Sequence, residues 1–222
     1  MKYIAHRGLS AKYPENTLLA FKKALEENAD GIETDLMLSR DNEIILFHDD
    51  NLKRITGIDS SPQKLTLAQL RTLDAGQNEH IPTLDELLEL TDEKATLILE
   101  IKYHSQTYKK LCKLLMPKIK EKVQWVEVSC FEDKVLAYIH TLNPDIRLHK
   151  LIEDIAVLEN ENFDKKYDYV SYLDIDIALR ESVERLNLIA RYKVIFWTVD
   201  KVDLEKEIKL GLYGVMVNDV SM

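Results

Sequence analysis

Glu33 and Asp35 stand near one end of the segment ETDLMLSRDNEIILFHDD, and His48, Asp49 and Asp50 close the other. Carboxylates and imidazoles are the side chains that bind cations and move protons. Strand side chains alternate, so Glu33 and Asp35 share a face and repel each other unless a positive charge lies between them. A divalent cation meets that need, and carboxylate oxygens select hard ions such as Ca²⁺ or Mg²⁺. Glu100, near the end of TLILEIK, offers a third ligand, with Lys102 two residues on and on the same face. His6 and Arg7 follow the apolar run KYIA and precede Gly8, a residue that lets backbone or ligand approach closely. Arg7 suits bidentate contact with a phosphate, and Lys102 adds a point charge. His6 and His48 then supply a general acid and a general base. Each group alone is ordinary on a solvated strand. Their coincidence at strand ends is what asks for a function.

Alternating strands and helices would bring them together. Strands are predicted at 2–6, 31–37, 43–48, 96–102, 125–129, 146–151, 167–172, 193–199 and 213–217, most bounded by turn residues or charge clusters. Helical spacing of apolar residues appears over 16–28, with Asn16 as N-cap, and over 131–142, 177–190 and 201–210, the last stopped by Gly211. A helix starting near Ser105 is expected to kink or end at Pro117. Only a few residues separate 37 from 43, too few for a helix, so 31–48 is read as a hairpin. With its turn near Arg40 and Asp41, paired residue numbers sum to about 81 to 83, which puts His48 across from residues 33 to 35. Treating that hairpin as an extension of strand two leaves eight strands and an α/β fold, a distorted (β/α)8 barrel of TIM type. An open doubly wound sheet is the runner-up. Residues 51–82, with Gly57, Pro62, Gly76 and Pro82 and one helical piece near 66–73, read as a small insertion on the rim. The chain is read as one domain, 1–222.

The 222 residues are 45% hydrophobic and 31% charged, with a formal net charge of −9. That balance disfavours nucleic acid and anionic membrane as partners, and a small-molecule substrate bearing phosphate would need a local positive site or a metal to overcome it. No apolar run nears the roughly 18 residues of a membrane span. The start MKYIAHRG is too short in apolar residues for a signal-peptide core, so a soluble, cytoplasmic protein with reduced Cys112 and Cys130 is expected. His80, His104, His140 and His149 have no partner pattern and are read as surface or structural. Asp49 and Asp50 are read as a solvated turn, and Arg54 as a partner for a carboxylate under the insertion. Nothing in the pattern speaks to oligomeric state.

The order HRG (6–8), PENTLLAF (14–21), GIETDL (31–36), HDDNLKRITG (48–57), IPTLDELL (81–88), LEIK (99–102), SCFE (129–132), WTVD (197–200) and GVMVND (214–219) resembles the glycerophosphodiester phosphodiesterases along nearly the whole chain. The resemblance implies a distorted (β/α)8 barrel with a small insertion after the second histidine. It implies metal-dependent hydrolysis of glycerophosphodiesters to glycerol 3-phosphate and an alcohol. It assigns acid and base roles to His6 and His48, metal ligation to Glu33, Asp35 and Glu100, phosphate binding to Arg7 and Lys102, and a substrate contact to Trp197. The nucleophile is either water or the glycerol 2-hydroxyl, the latter by way of a cyclic phosphate. Asp200 stands where the family often has Asn, and Asn218-Asp219 where it usually has Thr-Asp followed by Pro. These departures fall outside the metal and histidine positions. The alternatives are a lysophospholipase D-like phosphodiesterase and a non-catalytic phosphate-binding barrel.

Overall fold

The computed structural model describes residues 1–200 and 204–221. Strand β1 spans Lys2–His6, and β2, Gly31–Leu38, lies parallel to it with His6 level with Glu33. β3, Ile44–Leu46, folds back antiparallel on the far end of β2. β4 (Thr96–Ile101), β5 (Val126–Cys130), β6 (Leu148–Ile152), β7 (Tyr172–Asp176), β8 (Lys193–Trp197) and β9 (Gly214–Val217) follow in order. β4 pairs with β2, each later strand with the one before it, and β9 also with β1, all parallel. Among the described residues the sheet therefore closes as eight parallel strands with β3 as an antiparallel extension. This is the (β/α)8 barrel, and the open doubly wound alternative is set aside.

Alternation explains why the strands are buried on both faces. Outward residues Leu97, Leu99, Val126 and Val128 pack with Leu111, Leu115, Val135 and Ile139 from the helices Tyr108–Ile119 and Asp133–Leu142. Inward residues Ile4, Ile98, Tyr172, Ile195 and Met216 fill the barrel. A parallel barrel of this kind is a packed core whose loops at the C-terminal ends of the strands are free to carry chemistry. The hairpin register pairs Leu36 with Leu46, Met37 with Ile45 and Leu38 with Ile44, numbers that sum to 82 and fall inside the expected range.

Several boundaries move. The helix expected over 16–28 is Leu18–Glu26, and Thr17, not Asn16, caps it by accepting from the Ala20 amide. The helix Tyr108–Ile119 runs two residues past Pro117 before it ends, and the Lys120 amide still reaches the Met116 carbonyl. The helix expected over 131–142 begins at Asp133. The pattern at 177–190 breaks into two 3₁₀ turns around a short helix, Arg180–Arg185, with Asn187 left-handed at φ 51°. Of the helix expected over 201–210, residues 201–203 lie outside the described residues, and Leu204–Leu210 is helical up to Gly211. The strand expected at 167–172 begins only at Tyr172. Its alternating tyrosines serve a turn instead: Tyr167 is buried and donates its hydroxyl to Asp133, and Tyr169 packs on His140.

The insertion holds two short helices, Lys53–Thr56 and Leu67–Leu70, and a 3₁₀ turn at Pro62–Lys64, where one helical piece was expected. Leu52, Leu70, Ala75 and Ile81 pack against Met37, Ile45 and Phe47 of the hairpin, forming a small apolar cluster of their own. That packing carries the chain out of β3 and past the mouth of the barrel.

Candidate active site

At the C-terminal end of β1 the backbone turns sharply, with Arg7 at φ 58° and Gly8 at φ 82°. A Cβ on Gly8 would meet the Ala20 carbonyl carbon at 2.7 Å, so only glycine lets helix Leu18–Glu26 approach so closely. The turn aims the Arg7 amide at Glu33, reaching its backbone oxygen at 3.0 Å and its carboxylate at 3.1 Å. The parallel register sets Asp35 level with Glu100 on β4. Carboxylate oxygens of Glu33, Asp35 and Glu100 consequently lie within 4.8 Å of one another, all three residues buried.

Cations surround the three but do not saturate them. Lys102 Nζ is 2.7 Å from Glu100 and 3.6 Å from Asp35 Oδ1. Arg7 Nε lies 3.3 Å from Asp35 Oδ2, which also accepts from Asn16 Nδ2 at 2.8 Å. Asp35 Oδ1 is buried with no hydrogen-bond partner. Burial and the repulsion of Asp35 and Glu100 push the Glu33 carboxyl well above its ordinary range. Glu100 is pushed up to about 7 by burial and by Asp35, with Lys102 opposing. Asp35 is held below its usual range because Lys102, Arg7 and His48 and the Asn16 bond outweigh its burial. Oxygen-only donors, an orphaned buried oxygen and carboxyls driven toward neutrality fit a hard divalent cation. The ligand set anticipated from the sequence is thus brought together here.

Both histidines reach the same cavity of about 280 Å³, which Arg7, Glu33, Glu100, Lys102, Ser129, Phe131, Glu153 and Trp197 also line. His6 Nε2 stands 4.0 Å from Glu33, and its Nδ1 lies 2.8 Å from Asn218 Oδ1. Burial and the neighbouring Arg7 charge lower the His6 pKa. His48 follows Phe47, whose amide donates to the Asp35 carbonyl at 3.0 Å, and its Nδ1 lies 2.7 Å from Asp49. Trp197 donates to the Asp174 carbonyl and meets Phe131 edge-on at 5.8 Å, so one wall of the cavity is aromatic. His6 and Arg7 also border an open groove of about 910 Å³ with Ser10, Lys12, Asp200, Asn218 and Asp219.

Some of these partners escaped the sequence reading. Asn16 steadies Asp35 and is itself held by Thr34, a role hidden because it reads as a helix cap. Asp49 is no solvated turn: it faces His48 on one side and Arg54 on the other. Asn218 touches His6, so a departure expected to lie away from the histidines does reach one. Of the two roles open to His149, surface or structural, it takes the structural one, fully buried between Glu127 and Asp174, though its partners were not foreseen. His80 and His104 lie near Glu86 and Asp50. Cys112 and Cys130 are free and buried, their thiols pushed up to about 12 chiefly by burial.

Paired acids and bases at the C-terminal mouth of a parallel barrel define an enzyme that acts on an anionic substrate. The model of the Glycerophosphoryl diester phosphodiesterase family matches residues 6–222; the chain belongs to that family and is an enzyme of its class. A glycerophosphodiester phosphodiesterase of Caldanaerobacter subterraneus subsp. tengcongensis is 33% identical, with 97% of this chain and 93% of that protein covered. An Oleispira antarctica phosphodiesterase, solved in complex with the product sn-glycerol-3-phosphate, is 28% identical and superposes with a TM-score of 0.89 over 100% of this chain and 94% of its own. The Thermotoga maritima glycerophosphodiester phosphodiesterase is 26% identical, with a TM-score of 0.82 over 100% and 96%.

Proposed function

We propose that the chain hydrolyses glycerophosphodiesters to glycerol 3-phosphate and an alcohol, with a divalent cation, Ca²⁺ or Mg²⁺, held by Glu33, Asp35 and Glu100. The carrying observation is the buried carboxylate trio with its orphaned Asp35 oxygen, two of whose members, Glu33 and Glu100, line a cavity that two imidazoles and two cations share. When bound, the cation supplies Lewis-acid stabilisation of charge on the phosphoryl group. Arg7 and Lys102 orient the phosphate and offset the same charge as it grows. Asp49 accepts from His48 Nδ1 and turns Nε2 toward the substrate, which suits His48 to take the nucleophile's proton. His6 stands between the inner cavity and the outer groove, beside the path of a departing alcohol, and delivers a proton to it. Trp197 and Phe131 wall the substrate on the aromatic side.

The insertion works with the barrel as one domain, and two free thiols suit a reducing cytoplasm. The reading is tested by glycerol 3-phosphate release from glycerophosphocholine, with a lysolipid and a buffer blank beside it. Chelation is expected to cut turnover by about 10³-fold or more, the scale of several kcal/mol of charge stabilisation, and Ca²⁺ or Mg²⁺ to restore it. Release that persists through exhaustive chelation removes the metal, and faster turnover of the lysolipid changes the substrate class.

A further inference from the structure

An unbroken chain of alternating charges runs from Arg7 to His48 through the insertion. Arg7 Nη1 donates to Glu15 Oε1 at 2.9 Å. Arg54, on the first helix of the insertion, donates to both Glu15 oxygens, from Nη1 and Nη2, each at 2.8 Å. The same guanidinium turns its Nε and Nη2 to Asp49, at 2.6 and 2.9 Å. Asp49 Oδ1 then meets His48 Nδ1 at 2.7 Å. Arg54 is therefore forked on two carboxylates at once, the geometry in which a guanidinium fixes direction as well as charge. Among the described residues neither Glu15 nor Asp49 has another basic side chain in a comparable fork, and lysine, a point charge, cannot serve both.

We propose that Arg54 is a positioning residue for catalysis: by clamping Asp49 against Glu15 it fixes the tautomer and direction of the His48 ring and ties it to the phosphate-facing Arg7. The inference rests on the reading of His48 as a proton-transfer group. It also gives the insertion a task. The helix Lys53–Thr56 has no fully buried residue, and Ile55 alone of its side chains packs against the apolar cluster, so apolar contact by itself does not fix its direction. Two bidentate ion pairs do, and they place it where it supports the histidine from behind. Arg54 touches no wall of the inner cavity and reaches substrate only through its neighbours.

The two ends of the chain predict different kinetic effects. Losing Arg54 leaves Asp49 held by His48 alone, whereas Glu15 keeps Arg7. Arg54→Ala, assayed with the divalent cation present and glycerophosphocholine as substrate, is expected to lower kcat about 10- to 100-fold, the cost of a misplaced catalytic group, while KM moves by less than about threefold. Because Arg54 is half exposed, added guanidinium can enter the gap and is expected to recover part of kcat; Arg54→Lys is expected to recover little. Asp49→Asn, a near-isosteric change, is expected to reproduce the kcat loss without guanidinium rescue. Ring ¹⁵N shifts of His48 read the same clamp without any substrate. The parent is expected to hold the Nδ1–H tautomer, and both Arg54→Ala and Asp49→Asn to shift it toward Nε2–H.

A folded Arg54→Ala protein with kcat within about twofold of the parent overturns the proposal, as does an unchanged His48 tautomer. If Arg54→Ala does not fold, Asp49→Asn carries both readouts. If the parent itself releases no glycerol 3-phosphate, the proposed function has failed, and the ¹⁵N measurement still decides whether Arg54 sets the ring.

Discussion

Glu127 and Asp174 are buried as deeply as Glu33 and Asp35, yet the two carboxylate groups are closed in different ways. Toward the base of the barrel, His149 stands between its two acids, Nε2 at 2.7 Å from Glu127 and Nδ1 at 2.9 Å from Asp174. Arg147 and the Tyr172 hydroxyl take up the other Glu127 oxygen, and the Tyr172 ring stacks on the imidazole at 4.3 Å. The fully buried ring is a cation: burial opposes the charge, but Asp174 and Glu127 push its pKa up to about 9. At the mouth, three carboxylates share two cations, Arg7 and Lys102, and one Asp35 oxygen goes without a hydrogen-bond partner. Buried charge that the protein satisfies itself ties strands together. Buried charge left open toward a cavity is available for a ligand.

The largest effect expected from this contrast is at the base. His149→Leu leaves Asp174 without its counter-charge, and removing one partner of a buried ion pair costs roughly 3–5 kcal/mol. Urea unfolding is expected to show that loss near pH 6, while kcat of the folded fraction stays close to the parent's. The difference depends on pH with a definite sign. The folded pKa of about 9 lies above the ordinary 6.5, so the stabilisation is complete below about 6.5 and fades as pH rises through about 9. Parent and variant should converge in urea midpoint by about pH 10, and a gap that persists there removes the imidazolium from the account.

At the mouth the corresponding histidine changes should act on rate and spare stability. His6→Ala and His48→Ala are each expected to lower kcat by about 10²-fold or more, the scale of general acid–base catalysis, with unfolding midpoints near the parent's. Neither ring is enclosed on both sides as His149 is. Near-parental turnover in either variant would separate that ring from proton transfer. A large loss of stability would place it with His149 as a structural group.

The same contrast explains how far the sequence could be read. β1 was legible to the residue, because a short apolar run ending in a charged pair has few alternatives. Glu33, Asp35 and Glu100 were legible as a group because alternation within each strand and the register between strands decide which faces they share. Partners chosen by barrel closure were not. His6 meets Asn218 at a separation of 212 residues, Arg54 meets Glu15 across 39, and His149 meets Asp174 across 25. No local period records such pairs. Tyr167 and Tyr169 misled for a related reason: alternating aromatics suit a strand, but here they pack a turn onto the helix Asp133–Leu142.

The smallest effect is the one that most sharply separates mouth from base, because its sign reverses. Glu100 is buried, and its pKa of about 7 stands above the ordinary 4.5 chiefly because burial and Asp35 disfavour its charge. A carboxyl raised on folding costs stability once it ionises: in metal-free protein the penalty is absent below about 4.5, grows through about 7 and is complete above it. Glu100→Gln keeps the shape and removes the charge, so metal-free Glu100→Gln protein near pH 8 is expected to unfold at higher urea, by roughly 1–3 kcal/mol. The same change should weaken divalent-cation binding and so lose the extra stability that the parent gains when Ca²⁺ or Mg²⁺ is added. Titrating the cation should therefore make the two unfolding midpoints cross. A base carboxylate shows no such crossing, since Asp174→Asn strips His149 of one of its two counter-ions and destabilises with or without the ion. If Glu100→Gln destabilises the metal-free protein, the mouth is as self-satisfied as the base, and the physical ground for a cation there is gone.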